Sequence, residues 1–473
     1  MSDDFYLSLE NGASMSAKLD QHGVSMQLME STGAADWVAL MQLDMYSARK
    51  LRDLACGERE MNHDAAPGPL TACQICGSAD LFEIIDLGHQ PLCDSLLTKA
   101  QLSQPETTYP LALNMCRACG LAQLSYVVPG EVVYHPAYPY RSGISAPLRD
   151  YQRGFASDVV ARLGVPAGAL VIDIGSNDGT LLTGFRDLGM GVCGVEPTDI
   201  AKVAERENNI TTIQARFTEN LAREFTRKAS IITATNVFAH MADLGEVMRG
   251  IDALLAPDGV FITESHYLLD VLEKNQFDTI YHEHIRTYSL RSLCALFEQY
   301  GMEVFDVQRA ERYGGNIRAY VRRMRGETSD MSVLRLLDEE ESKGLFEPAI
   351  WDRWRSRVED QRDLFRWWLT HNAGKSIVGK SCPGRASTLI NWYGVTPDLM
   401  PYLAELPDSL KLGLFLPGKH IPVVDEEILF REQPDYVVLN SWHYQDAIVK
   451  RLRAAGLKSK FVVALPEFKV LDV

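Results

Sequence analysis

Basic residues never gather in this chain. Its 473 residues carry 47 Lys and Arg against 63 Asp and Glu, a net charge of −16. No Lys/Arg run supplies the cationic face that a phosphate backbone requires, which excludes nucleic acid as a partner. A small anionic ligand stays allowed, because a local cationic pocket can sit on an acidic protein. Long apolar runs are missing too. None approaches the roughly 18 residues that cross a bilayer, so no membrane span is expected. The start lacks the charged, apolar, small-residue order of a secretory leader. Cysteine is sparse, nine residues in a large chain. An odd, small number argues against a disulfide framework and for a reducing compartment, and a cytoplasmic protein is the expectation. Neither the Gly-x-Gly-x-x-Gly fingerprint of dinucleotide sites nor the His-Glu-x-x-His of zinc hydrolases is present. Internal repeats and low-complexity tracts are absent as well.

What is present is ordinary globular material, 46% hydrophobic and 23% charged, long enough for roughly three domains. Residues 1–70 read as an extension. Phe5 to Leu28 alternates around Asn11-Gly12 as a β-hairpin, Trp37–Leu54 has helical spacing, and Asp64–Pro69 looks like a linker. Docking or oligomerisation is its expected role. Residues 71–150 hold the paired cysteines among short strands and turns. Residues 151–330 alternate strand and helix, the βαβ signature of a mostly parallel sheet. Its expected strands are Leu170–Ile174, Val192–Val195, Ile210–Ile213, Ile231–Ala234, Val260–Ser265 and Ile317–Arg322. Residues 331–473 open with charged helices and continue as a second α/β pattern from Ser376. The fold class is α/β.

Two Cys-x-x-Cys pairs, Cys73/Cys76 and Cys116/Cys119, are each followed by glycine. Each turn presents two sulfurs, and two turns complete the tetrahedral shell of zinc. Four thiolates leave no open position, so the metal is expected to be structural. Cys93 and Cys56 have no partner spacing. Further on, an apolar strand runs into Asp173-Ile-Gly175-Ser-Asn177-Asp178-Gly179 and then a helix. Glycine lets the backbone approach a ligand. Carboxylates in that loop suit a cationic, hydroxyl-rich ligand better than a pyrophosphate, which points to S-adenosylmethionine. Glu196 ends the next strand, where an acid can accept from both ribose hydroxyls. Asn236 and His240 follow a further buried strand and could close over the methionine part.

Residues 278–288 crowd two histidines, a glutamate and two tyrosines into a short span. The group is dense in donors and in side chains that titrate near neutrality, which suits a base that removes a proton from carbon. Surface or capping polars are the plain alternative.

Taken in order, these motifs resemble those of the sugar-nucleotide C-methyltransferases. The resemblance covers about residues 71–470. It is carried by Cys73-Gln-Ile-Cys76-Gly, Cys116-Arg-Ala-Cys119-Gly, Tyr138-Pro-Tyr140-Arg-Ser-Gly, the Asp173 loop, Tyr281-His-Glu-His284, Tyr313-Gly-Gly-Asn-Ile-Arg and Pro417-Gly-Lys-His-Ile-Pro. It implies a zinc-binding domain, a central class I methyltransferase domain and a Rossmann-like last domain. S-adenosylmethionine is the implied donor and a nucleotide-linked keto sugar the implied acceptor. His284 would be the base, assisted by Tyr281 and Glu283, with Tyr138 or Tyr140 reaching the same site. The chain departs from the family at Lys380, Ser381 and Arg385 in the last domain's glycine turn, and at His443 after Trp442. An oxygen acceptor, a non-sugar keto acceptor, or a non-catalytic scaffold are the competing readings. Monomer and homodimer are both open.

Overall fold

A computed structural model describes residues 63–134, 141–143, 145–325 and 330–471, together with three earlier strands. The expected helix over 37–54 lies outside these residues, as do Cys56, Tyr138 and Tyr140. The chain divides into a unit over 1–61 and a unit over 62–473. In the first, Asp4–Ser8, Ser14–Asp20 and Gly23–Leu28 pair antiparallel, so the expected hairpin is a three-stranded meander.

The second unit is built around a seven-stranded sheet. Its strands are β1 (Leu170–Ile174), β2 (Gly191–Val195), β3 (Thr212–Ile213), β4 (Ala229–Thr235), β5 (Leu255–His266), β6 (Met302–Ala310) and β7 (Asn316–Arg323). The order across the sheet is β3-β2-β1-β4-β5-β7-β6. The first five are parallel, and β7 inserts antiparallel between β5 and β6. Val171, Ile172 and Ile174 in β1 and Ile231 and Ile232 in β4 are buried, as expected of strands covered on both faces. Helices α1 (Ala146–Leu163) and α2 (Thr180–Asp187) pack together on one face, and α3 (Leu244–Leu254) lies on the other. The order reverses between β1 and β4. Such a switch point opens a crevice at the strands' carboxyl ends.

The cysteine-bearing segment forms its own small sheet from Leu81–Pro91, Thr108–Cys116 and Ala122–Leu124. A fourth strand comes from elsewhere: Arg286–Thr287, from the loop after β5, pairs with Gln123 and Ala122. Nor is the linker-like stretch loose. Asp64 Oδ1 accepts from the Gly245 and Glu246 amides at 2.8 and 3.1 Å, capping α3.

Helix α4 (Pro348–His371) fastens the modules to each other. The Trp354 indole donates to the Val271 carbonyl and the Arg355 guanidinium to the Ile84 carbonyl, while Phe365 and Trp368 pack towards the last domain. That domain is a six-stranded sheet of β8 (Ile377–Lys380), β9 (Leu403–Glu405), β10 (Val423–Asp425), β11 (Tyr436–Leu439), β12 (Lys460–Val463) and β13 (Lys469–Leu471). The order is β10-β9-β8-β11-β12-β13, with only β13 antiparallel. Helix α5 (Gly384–Tyr393) follows β8. No helix among the described residues is long and apolar enough to cross a membrane.

Candidate active site

The crevice at the β1–β4 switch point collects the expected loop residues. Asp173 is buried and accepts from Thr233 Oγ1 at 2.6 Å. Burial pushes its carboxyl up to about 7, the neighbouring Glu196 charge adds to that, and the Thr233 hydroxyl opposes it. Glu196 is engaged through both oxygens: Thr198 N and Oγ1 donate to Oε1 at 2.9 and 2.6 Å, and Asn177 N donates to Oε2 at 3.0 Å. A carboxylate has further lone pairs to offer. Gly175 lies at φ +67°, and a Cβ there would meet Val237 Cγ2 at 2.5 Å. Only glycine lets the β1 loop pass this close to the β4 loop.

Asp178 is committed differently. It accepts from Ser142 Oγ, Gly143 N and Thr180 Oγ1 at 2.7–2.9 Å, and Asn177 Oδ1 accepts from Ser142 N at 2.8 Å. These two residues clasp the segment 141–143 onto the loop that follows β1. Gly179 caps α2 in the left-handed region at φ +74°. Asn236 Oδ1 accepts from Asn316 Nδ2 at 3.1 Å, and Asn316 also donates to Glu264, a buried acid held by Tyr151 and Arg318.

An imidazole cluster stands beside this crevice. His284 is 4% exposed; its ring centroid is 3.9 Å from Tyr281, 4.6 Å from His266 and 4.8 Å from His240. His240 Nδ1 is 3.0 Å from Tyr134 Oη, and the two rings stack. His284 Nδ1 donates to the Thr279 carbonyl at 2.6 Å. A carbonyl can only accept, so the proton sits on Nδ1 and the neutral ring presents Nε2 as its basic atom. Burial first, then the neighbouring His266 and His240, hold His284 well below the usual histidine range. His240 is lowered to about 4 by burial alone. His282 faces away, towards Tyr109, and Glu283 accepts from Cys93 Sγ at 3.4 Å. Tyr281 and His284 thus face each other, while His282 and Glu283 between them point to other partners.

Three modules fix this loop. The Arg286–Thr287 strand ties it to the cysteine-bearing sheet. Arg286, buried, donates to the Met241 and Ala242 carbonyls and so holds the His240 segment against His284. Asp278 accepts from Arg385 Nε and Nη2 at 2.7 and 2.8 Å and from the Trp442 indole at 3.0 Å, which brings in the last domain.

The four cysteines converge as their spacing predicts. Their sulfurs all lie within 4.8 Å of one another, with 3.4 Å between Cys73 and Cys119 and between Cys76 and Cys116. Zn–S bonds of about 2.3 Å put tetrahedral sulfurs roughly 3.8 Å apart, so the set fits the ion. The turns match each other: Gly77 N donates to Cys73 O and Gly120 N to Cys116 O, each at 2.9 Å, with both glycines at positive φ.

Three groups escape motif reading. Tyr134 follows the last zinc-domain strand, Arg286 resembles a surface cation, and His266 is one histidine at a strand end. Only the last carried a signal, since carboxyl ends at a switch point are where ligands bind.

Comparison with known proteins gives three family matches in series: a zinc binding domain over residues 73–134, a methyltransferase domain over 148–307 and a C-methyltransferase C-terminal domain over 311–466. The C-methyltransferase NovU of Streptomyces niveus is 33% identical over 416 residues, which is 85% of this chain and 97% of the relative. A ubiquinone biosynthesis O-methyltransferase of Actinobacillus pleuropneumoniae is 29% identical over 102 residues, 20% of this chain and 44% of that one. Among solved structures, an S-adenosylmethionine-dependent methyltransferase of Clostridium acetobutylicum matches 37% of this chain and 92% of its own, at 13% identity and a TM-score of 0.31.

Proposed function

We propose that this enzyme, which belongs to the C-methyltransferase family and takes its methyl group from S-adenosylmethionine, methylates the carbon α to the ketone of a nucleotide-linked keto sugar. One observation carries the reading: the Nδ1–H to Thr279 carbonyl bond leaves His284 Nε2 as a buried, unprotonated base beside the crevice that takes the cofactor. A saturated carbon becomes a nucleophile only when a neighbouring carbonyl stabilises its carbanion, so a base at that place suits carbon methylation.

In this scheme Asp173, Gly175, Asn177, Gly179 and Glu196 hold the cofactor, with Asn236 and His240 over its methionine part. When bound, it supplies an electrophilic methyl whose bonding pair leaves on sulfur. Asp173, whose proton affinity burial and the nearby Glu196 charge raise, suits a cation, and Glu196 suits ribose hydroxyls. His284 takes the α-proton. Tyr281, ring to ring with it, keeps the imidazole in place and excludes water. Glu283, bonded to Cys93, anchors the backbone at the preceding position. Tyr134 orients His240, and Tyr138 or Tyr140 completes the acceptor side. The nucleotide falls to the last domain, joined to the site through Arg385 and Trp442. Zinc, held by Cys73, Cys76, Cys116 and Cys119, organises the sheet onto which the His284 loop is stitched.

The test is His284→Asn, which keeps a donor near the Thr279 carbonyl and removes the base. Loss of about a hundredfold or more in turnover is expected, with S-adenosylmethionine affinity unchanged by calorimetry. Wild-type turnover in that variant removes His284 from the role, and a product whose new methyl resonates as O-methyl by NMR removes the carbon acceptor.

A further inference from the structure

Removing an α-proton places charge on the ketone oxygen, and none of the groups assigned so far receives it. His266 is the last residue of β5, at the same crevice end of the sheet. Its ring lies between two partners, with His284 at 4.6 Å and Tyr313 stacked at 6.1 Å. It is half-buried, while the residues on either side of it, Ser265 and Tyr267, are buried. Neither ring nitrogen makes a hydrogen bond to another described residue.

The chain also fixes the Tyr313 side of this stack at some cost. Tyr313 takes φ +54°, a conformation that a bulky residue seldom adopts, and Gly314 and Gly315 follow at +93° and +142°. A Cβ on Gly315 would meet Asp270 Cγ at 2.3 Å, and one on Gly314 would meet Gln276 Oε1 at 2.9 Å. Backbone strain of this kind collects where a side chain must be aimed.

We infer that His266 is a second catalytic residue, whose neutral ring N–H donates a hydrogen bond to the acceptor's ketone oxygen while His284 removes the α-proton. The inference rests on the keto-acceptor reading above. The step balances. The C–H bond breaks, its proton goes to His284 Nε2, and its electron pair forms the carbon–carbon double bond. The carbonyl π pair moves onto oxygen, where the His266 N–H meets it. The enolate carbon then bonds the methyl while the methyl's bond to sulfur breaks and its pair leaves on sulfur, the oxygen's pair restores the carbonyl, and His284 returns its proton to solvent.

Ring spacing suits the division of labour. An α-carbon and its ketone oxygen are neighbours in the substrate, so a base and a donor serving them must come from adjacent side chains. The surroundings also keep His266 neutral. Burial first, then the charge of Arg385 and the His240 and Arg312 side chains, hold it well below the usual range. A neutral imidazole donates without itself losing a proton, as a protonated one would tend to do.

The experiment uses the full-length zinc-loaded enzyme in D₂O, with S-adenosylhomocysteine in place of the methyl donor and a thymidine-diphosphate 4-keto-6-deoxyhexose as the probe. Loss of the α-hydrogen is followed by NMR against an enzyme-free control. It reads enolisation alone, independent of methyl transfer. His266→Phe is expected to slow exchange by about 10²–10³, the usual effect of deleting one oxyanion donor. S-adenosylhomocysteine affinity should stay within about threefold. His266→Gln, which restores an N–H, should recover at least about tenfold of that loss, and a merely structural role would not distinguish Gln from Phe. Wild-type exchange in His266→Phe, or equal losses in the Phe and Gln variants, overturns the assignment and leaves the keto-sugar reading standing. No exchange by the wild-type enzyme overturns that reading, and this inference falls with it.

Discussion

Arg385→Met should be among the most damaging single changes in the protein. Arg385 is 6% exposed and Asp278 1%. The guanidinium donates to both oxygens of Asp278, to Gln276 Oε1 at 3.1 Å and to the Tyr313 carbonyl at 2.8 Å. Methionine keeps most of the volume and removes every donor. Asp278 would then retain the Trp442 indole as its one remaining side-chain donor among those described, and three further acceptors, Gln276 Oε1, the Tyr313 carbonyl and His443 Nδ1, would lose the Arg385 donor. Breaking a buried ion pair from one side costs roughly 3–5 kcal/mol, because an uncompensated charge stays behind. Replacing both partners by apolar groups is often neutral. Arg385→Met with Asp278→Leu should therefore recover most of the loss, less roughly 1–3 kcal/mol for the orphaned indole N–H. Guanidinium chloride unfolding followed by tryptophan fluorescence measures all members of the cycle, and Trp442 itself reports on the junction. The single variant should also raise KM for the methyl acceptor, since Tyr313 and His443 are both within reach of the same guanidinium. The reasoning fails if Arg385→Met costs less than about 1 kcal/mol, or if the double variant is no better than the single.

Further expectations follow the same logic. Cys76→Ser should lower bound zinc below half an equivalent by metal analysis and remove turnover as well, because the His284 loop continues into a strand of the zinc-domain sheet; full activity in a zinc-free protein would contradict this. Gly315→Ala combines a left-handed φ with a clash against Asp270, which Arg309 and Lys274 hold in place, so a loss of roughly 2–5 kcal/mol is expected in thermal unfolding. Because His284 stays neutral well below pH 6.5, the acid limb of kcat/KM should lie below that value, and an apparent pKa at or above 6.5 that disappears in His284→Asn would refute the burial argument. Stability should also fall on acidification. His240 and His282, both lowered to about 4 by burial, contribute fully above pH 6.5 and lose about 1.4 kcal/mol each per pH unit from 6.5 down towards 4. Asp173 and Glu340, raised to about 7, act in the opposite sense, but His266, His284 and His443 are lowered as well and outweigh them. Urea midpoints at pH 5 and 7 decide the sign.

Much of the fold was legible because parallel strands covered on both faces must be continuously apolar. All six expected central strands exist: Leu170–Ile174 keeps its expected bounds, four others extend beyond their apolar runs, and the one expected over Ile210–Ile213 shortens to Thr212–Ile213. β6 escaped because it lies at the sheet edge and alternates buried with half-exposed residues around a bulge between Val304 and Asp306. At the site, the cysteine turns, the Asp173 loop and Glu196 could be read because each local backbone demands particular residues. The histidines were different. His282 and His284 look alike in sequence, yet one turns to Tyr109 and the other into the crevice.

Local chemistry alone thus determined the α/β class, the four-cysteine cluster, the tight glycine loop after β1 and a short list of candidate bases. Those depend on spacing within a few residues, on glycine's access to positive φ and on the pairing of thiolates with metal. Tertiary structure decided which imidazole is buried neutral, which nitrogen carries its proton, and that His266, Arg286 and Tyr134 share its surroundings. These follow from contacts between strand ends and loops scores of residues apart, where burial and a single carbonyl set protonation, and no window of sequence contains them.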